Sequence, residues 1–315
     1  RTRFSMELEK LRNLHPQHWE KANAIRVLTL DAVAAANSGH SGMPIGMADV
    51  ATILFEKHLK FSTAQPNWPD RDRFILSAGH GSMLLYSVAY LCGYADFDID
   101  QLKNFRQLGK KTAGHPENFL SDVIETTTGP LGQGIANSVG FAIAEESLRA
   151  RFGRNIIDHH TFVIAGDGCL MEGVSQEAIS LAGHLRLHKL IVFWDNNNIT
   201  IDGTVDLTDS TDQKTRFEAS GWEVIEIDGH DPEEIDSAIS AAKKSEKPTM
   251  IACKTHIAIG TAAQDTSKGH GALTDPELIK NAREVYQWSH KPFDIPKSVK
   301  EQWEEAGLEG NKAFK

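Results

Sequence analysis

Cysteine is scarce in this chain, with three among 315 residues. Cys92, Cys169 and Cys253 are scattered and odd in number. That argues against a disulfide framework and for reduced thiols in the cytoplasm. No apolar run is long enough for a membrane helix, and the first residues lack a signal-peptide core. Basic charge is also short: 33 Lys and Arg face 43 Asp and Glu, for a net charge of −10. No basic run stands out, so a general nucleic-acid binder is excluded. Internal repeats and low-complexity tracts are missing too.

What is present is an alternation of short apolar runs with longer periodic segments. Residues 74–77, 161–165, 189–194, 223–227 and 249–253 read as strands. Residues 46–59, 134–152 and 176–187 read as helices, the last with Ile179, Leu181, Ala182 and Leu185 on one apolar face. The pattern predicts an α/β fold, a mostly parallel twisted sheet with helices on both faces. Asp228-Gly229-His230-Asp231-Pro232 reads as a structural strand-to-helix turn, with Asp231 as cap and Pro232 at the first helical position.

The most informative stretch runs over residues 163–203. A Gly166-Asp167-Gly168 turn follows one predicted strand, and Asp195-Asn196-Asn197-Asn198 follows the next. One helix-length crossover separates them. A right-handed strand–helix–strand unit delivers both clusters to the carboxyl edge of the sheet, where ligands bind. Asp167 then presents a carboxylate and Asn197 a carboxamide oxygen. An irregular backbone after Asn198 adds a carbonyl. Such oxygens suit Mg²⁺, which completes its octahedron with phosphate oxygens and water. A Gly-Asp-Gly turn alone is common; the pair at crossover spacing is specific. Cys169 reads as packing, because a thiolate suits Mg²⁺ poorly.

Four of the fourteen histidines share one local context, since His40, His80, His115 and His270 each follow a glycine in a predicted loop. Loops at strand ends concentrate site residues, and imidazole titrates where proton transfer at neutral pH needs it. His15, His18, His58, His159, His160 and His188 read instead as solvent-exposed loop histidines.

These segments resemble the amino-terminal half of transketolases. The resemblance rests on Asn37-Ser38-Gly39-His40, DRDRFILSAGHGSMLLYS (70–87), LKNFRQLGKKTAGHPE (102–117), ETTTGPLGQGIANSVG (125–140), GDGCLMEG (166–173), DNNNITIDG (195–203) and DGHD (228–231). It implies a thiamine-diphosphate-binding fold, with Mg²⁺ or Ca²⁺ held by Asp167, Asn197 and the backbone carbonyl of Ile199. It implies that Gly168, His80 and His270 contact the diphosphate, and that Gly129, Leu131 and Ile201 line the cofactor. His40 and His115, with His270, would serve the catalytic centre and the donor sugar's hydroxyls. Glu172, counted with these catalytic residues, resembles the buried glutamate that such dimers use near the interface, linking the two sites. Two departures stand out: a family His-Pro-Gly-Ala-Pro is His40-Ser41-Gly42-Met43-Pro44 here, and a family His-Gly-Ala-Pro-Leu-Gly is His270-Gly271-Ala272-Leu273-Thr274-Asp275.

The resemblance further implies two-carbon ketol transfer between sugar phosphates, such as xylulose 5-phosphate and ribose 5-phosphate, in the pentose phosphate pathway. It implies a cytoplasmic homodimer. Residues 1–296 are expected to form the diphosphate-binding domain and residues 297–315 the start of a linker. A pyrimidine-binding domain carrying the activating glutamate is then expected outside this chain, which alone would be inactive. The other readings are a subunit of a split transketolase, a non-catalytic Mg-diphosphate-binding chain, and a different thiamine-diphosphate enzyme.

Overall fold

The computed structural model describes residues 3–314. Residues 1, 2 and 315, included in the domain boundaries above, lie outside the described residues. Five strands form one sheet: β1 (Arg73–Leu76), β2 (Thr161–Gly166), β3 (Leu190–Asn196), β4 (Glu223–Asp228) and β5 (Thr249–Lys254). Their order is β1-β2-β3-β5-β4, and every pairing is parallel. All five are the strands expected from the sequence, within a residue or two at each end.

Successive residues of a strand point to opposite faces of the sheet. Residues 161–165 of β2, 190–195 of β3 and 249–253 of β5 are buried without interruption, so helices cover both faces. That is why these runs are continuously apolar rather than alternating. β4 lies at an edge and is the most exposed strand.

The helices depart from expectation in detail. The crossover helix runs Gly173–His184, three residues earlier than the apolar periodicity suggests. The expected helix over 46–59 is replaced by a segment that starts earlier and is divided into Gly42–Gly46, Ala48–Ile53 and a wide π turn, Leu54–His58. Asp231 caps the helix Pro232–Ala242 by accepting from Glu233 N and Glu234 N, as expected from the strand-to-helix turn.

The solvent-exposed reading of six histidines needs correction. None of the six is fully exposed, and His159 is buried. His18, His58 and His159 bond to Asp49, Asp236 and Asp70. These carboxylates come from distant parts of the chain, which local sequence does not reveal. Asp49 is the centre of one such cluster, taking Arg26 at 2.5 Å and His18 and His230 at 2.8 Å each. Burial pushes its carboxyl up, but Arg26 and the two imidazoles outweigh that and hold it well below the carboxylate range.

The tail forms a helix, Lys297–Phe314, laid against the body. Trp303 is fully buried and donates its indole N–H to Lys21 O at 3.2 Å. Lys300 Nζ donates to Tyr90 O and Leu91 O, capping the end of the helix Ser82–Cys92. The tail is therefore a packed part of this body before it is anything else.

Candidate functional site

β2 ends at Gly166 and β3 at Asn196, with Gly166 in register with Asp195. Asp167 and Asn197 thus leave adjacent strands at the same edge, as the crossover spacing requires. Asp167 is buried, and its Oδ1 accepts from Trp194 Nε1 at 3.0 Å. Its Oδ2 is buried with no hydrogen-bond partner. Desolvation raises its carboxyl to about 6, against the Trp194 bond and with help from the charge of Asp209. Asp195 is more deeply buried and is raised to about 7 for the same main reason, with repulsion from Asp167 adding to it. Among the described residues neither carboxylate pairs with Lys, Arg or His. A buried anion with an unused oxygen and no cation is unfavourable, and a hard divalent cation would relieve that penalty. The residues present therefore fit Mg²⁺ or Ca²⁺.

The loop after β3 is tightly folded. Asn197 Oδ1 accepts from Ile199 N at 2.9 Å, and Asn198 sits at φ 61°. That turn brings Ile199 into a bridge with Thr204 and buries it. Ile201 stands exposed at the loop tip.

The four glycine-flanked histidines converge. His40 lies 5.2 Å from His80, 5.5 Å from His270 and 6.3 Å from His115, ring centre to ring centre. His80 and His270 stack at 4.9 Å. The backbone holds them: Ser41 N donates to Gly271 O, and Leu273 N to Ser41 Oγ. Burial, then the neighbouring imidazoles, push His80 down to about 3 and His40 to about 4. His115 and His270 are also lowered, chiefly by desolvation. At neutral pH the cluster is uncharged.

Glycines let the remaining segments close on this centre. Gly129, at φ 154°, tolerates a conformation that other residues rarely adopt, with the His115 side chain packed over its bare Cα. A Cβ on Gly168 would meet Leu131 at 2.8 Å, so Leu131 lies directly over the Gly-Asp-Gly turn. Glu172 is exposed on this chain's surface as N-cap residue of the crossover helix, near Gly132.

Arg106 escaped the sequence reading. Its Nη1 donates to Ser38 Oγ at 2.9 Å, and Nη2 approaches His40 Nδ1 at 3.4 Å. A guanidinium only donates, so His40 Nδ1 accepts and its proton sits on Nε2. Arg106 belongs to one of the motif segments, but nothing in its spacing announces contact with residue 40.

Fold and site together define an α/β cofactor-binding domain of the doubly covered, parallel kind. Residues 17–315 match the family described as transketolase, thiamine diphosphate binding domain, and the chain belongs to it. It is 59% identical over 306 residues to a transketolase of Rhodobacter capsulatus, covering 97% of this chain and 46% of that one. A Pasteurella multocida transketolase 1 is 54% identical over 303 residues, covering 94% and 45%. The crystal structure of a Campylobacter jejuni transketolase superposes with a TM-score of 0.91 at 45% identity, covering 95% of this chain and 48% of that one. A Pichia stipitis transketolase in complex with sedoheptulose 7-phosphate gives 0.92 at 44% identity, covering 95% and 45%. The chain spans about half the length of these relatives.

Proposed function

We propose that this chain forms the diphosphate- and cation-holding half of a transketolase active site. Joined by a pyrimidine-binding part, on the same polypeptide or another, it transfers a two-carbon ketol unit from a ketose phosphate to an aldose phosphate. Sugar phosphates as donors and acceptors, of the class of xylulose 5-phosphate and ribose 5-phosphate, are supported by the Pichia stipitis relative, whose solved complexes include sedoheptulose 7-phosphate, xylulose 5-phosphate and fructose 6-phosphate. Two observations carry the reading: the unpartnered, buried Oδ2 of Asp167 at the carboxyl edge of the sheet, and the convergence of four neutral imidazoles.

In this reading Asp167, Asn197 and the Ile199 carbonyl hold Mg²⁺ or Ca²⁺. Gly168, His80 and His270 take the diphosphate, and Gly129, Leu131 and Ile201 line the cofactor. Thiamine diphosphate supplies, when bound, the carbon that accepts the two-carbon unit. His40, His115 and His270 hold and move protons at the sugar's hydroxyls, the role for which neutral imidazoles are suited. Glu172 lies toward a second copy of the chain.

The homodimer is supported by the surface. The helix Gln133–Phe152 leaves open space at Gly140, and the adjoining helix Gly173–His184 exposes Leu181, with Leu185 just beyond its end. We place the activity in the pentose phosphate pathway and in the cytoplasm, a compartment with which three free, buried cysteines agree. No helix among the described residues is long and apolar enough to cross a membrane. In this reading the cofactor domain spans residues 1–296, and the helix from Lys297, packed on that body, begins the connection toward the pyrimidine-binding part.

The test is reconstitution. This chain together with the pyrimidine-binding part of a close relative should turn over xylulose 5-phosphate and ribose 5-phosphate only when Mg²⁺ and thiamine diphosphate are present, and the chain alone should not. Turnover by the isolated chain at the reconstituted rate would refute the division of labour.

A further inference from the structure

We infer that Asp195 is a positioning residue for the cation site, and that its carboxylate locks the Asn197 carboxamide with its oxygen toward the cation. The inference rests on the reading that Asp167 and Asn197 are cation ligands, and goes beyond it to the residue that aims one of them.

Asp195 is 1% exposed, and both of its oxygens are used. Oδ1 accepts from the Thr255 hydroxyl, and Oδ2 accepts from Asn197 Nδ2 at 3.0 Å. Asn197 Oδ1 in turn accepts from Ile199 N at 2.9 Å. An amide can lie either way round. Here two neighbours decide it independently. Both Asp195 oxygens accept in this structure, one from the Thr255 hydroxyl and one from the amide, so Nδ2 faces Asp195. A backbone N–H only donates, so Oδ1 must face Ile199. The two demands agree, and Oδ1 keeps a second lone pair for a cation.

Stability does not explain the carboxylate. No Lys or Arg compensates it among the described residues, and Asp167 repels it. A neutral side chain would be less unfavourable to bury there. The arrangement also has a counterpart one residue earlier. Trp194 and Asp195 are consecutive in β3 and point to opposite faces of the sheet. Trp194 holds Asp167 by its indole N–H, and Asp195 holds Asn197. One strand end therefore aims both side-chain ligands, one from each face. Thr255, which follows β5, anchors the arrangement to the neighbouring strand, and its own N–H donates to Asn196 O. Groups that orient a ligand typically contribute about 10–100-fold to metal affinity.

The test uses the assembled enzyme, Mn²⁺ as the probe and thiamine diphosphate present, with free Mn²⁺ followed by electron paramagnetic resonance. Asp195→Ala should weaken Mn²⁺ binding by about 10–100-fold. Asp195→Asn should stay within a few-fold of the parent, because its carbonyl still accepts from Asn197 Nδ2 while its amide donates to Thr255. Unchanged affinity in Asp195→Ala overturns the proposal. So does an equal loss in Asp195→Asn, which would make charge rather than aim the cause. Should Asp195→Ala fail to fold, Thr255→Val carries the test: a several-fold loss supports the proposal and unchanged affinity overturns it. Asp167→Ala separates the two levels of inference, since Mn²⁺ binding that survives it refutes the underlying ligand assignment instead.

Discussion

The indole N–H of Trp194 meets Oδ1 of Asp167 at 3.0 Å, tying β3 to the first residue beyond β2. The bond leaves only the other carboxylate oxygen uncommitted. Trp194→Phe keeps the ring volume roughly and removes the donor. In cation-free protein it should destabilise by about 1–3 kcal/mol, the penalty for stranding a buried acceptor. The loss should be larger at pH 8 than at pH 5, because the Trp194 bond favours the ionised carboxylate, whose pKa lies near 6. Urea unfolding at both pH values measures this. A loss independent of pH would assign the effect to packing.

Asp167→Ala addresses the cation directly. Calorimetric titration of thiamine diphosphate into the assembled enzyme should show an affinity gain on adding Mg²⁺, and the variant should show none. The variant should also be more stable than the parent without cation at neutral pH, since it removes an unpaired buried charge. Equal Mg²⁺ dependence in both proteins would remove Asp167 from the ligand set.

The imidazole cluster predicts an acid limb. His80 is held near 3 in the folded chain, against 6.5 when unfolded. The unfolded state therefore binds the proton more tightly, and stability present above 6.5 is lost as pH falls toward 3. Between pH 7 and pH 5 this one group accounts for about 1–2 kcal/mol. His80→Gln should lose less stability over that interval than the parent does. Chemical denaturation at pH 7 and pH 5 gives the comparison, and parallel losses would show that His80 does not titrate on unfolding.

Trp303 tests whether the tail helix belongs to the body. Trp303→Ala should destabilise by about 3–5 kcal/mol, as for other fully buried aromatic truncations. Amide exchange in residues 297–314 should rise with it. Rapid exchange in the parent would mean that the helix is not held by this contact.

Much of this architecture was legible in the sequence. The five strands announce themselves because sheets buried on both faces demand unbroken apolar runs. The Gly166-Asp167-Gly168 turn and Asn197 are visible because one crossover links them in sequence and space. Four histidines stand out by their glycine neighbours. What stayed hidden depends on pairing across the chain. Arg106 reaches His40, and Asp49 gathers Arg26, His18 and His230, through contacts that no local pattern encodes. Asp195 was visible as part of a polar run, but its use was not: burial of a carboxylate is a property of the folded edge, and the same residue in a loop would be solvated. The division of the segment over 42–58 also hid, because a π turn leaves the apolar periodicity nearly unchanged.

The backbone bond from Ser41 N to Gly271 O has a consequence for how the protein is made. A ribosome extrudes β1, β2 and β3, and with them Asp167 and Asn197, long before the segment bearing His270. Asp167 and Asn197 emerge early, whereas β5 with Thr255, which anchors Asp195, and then His270 of the imidazole cluster emerge near the end of this region. Contacts this distant in sequence close late in folding. The four-histidine cluster is thereby closed only after the sheet is whole, and a nascent chain ending before His270 would lack the ring that meets both His40 and His80.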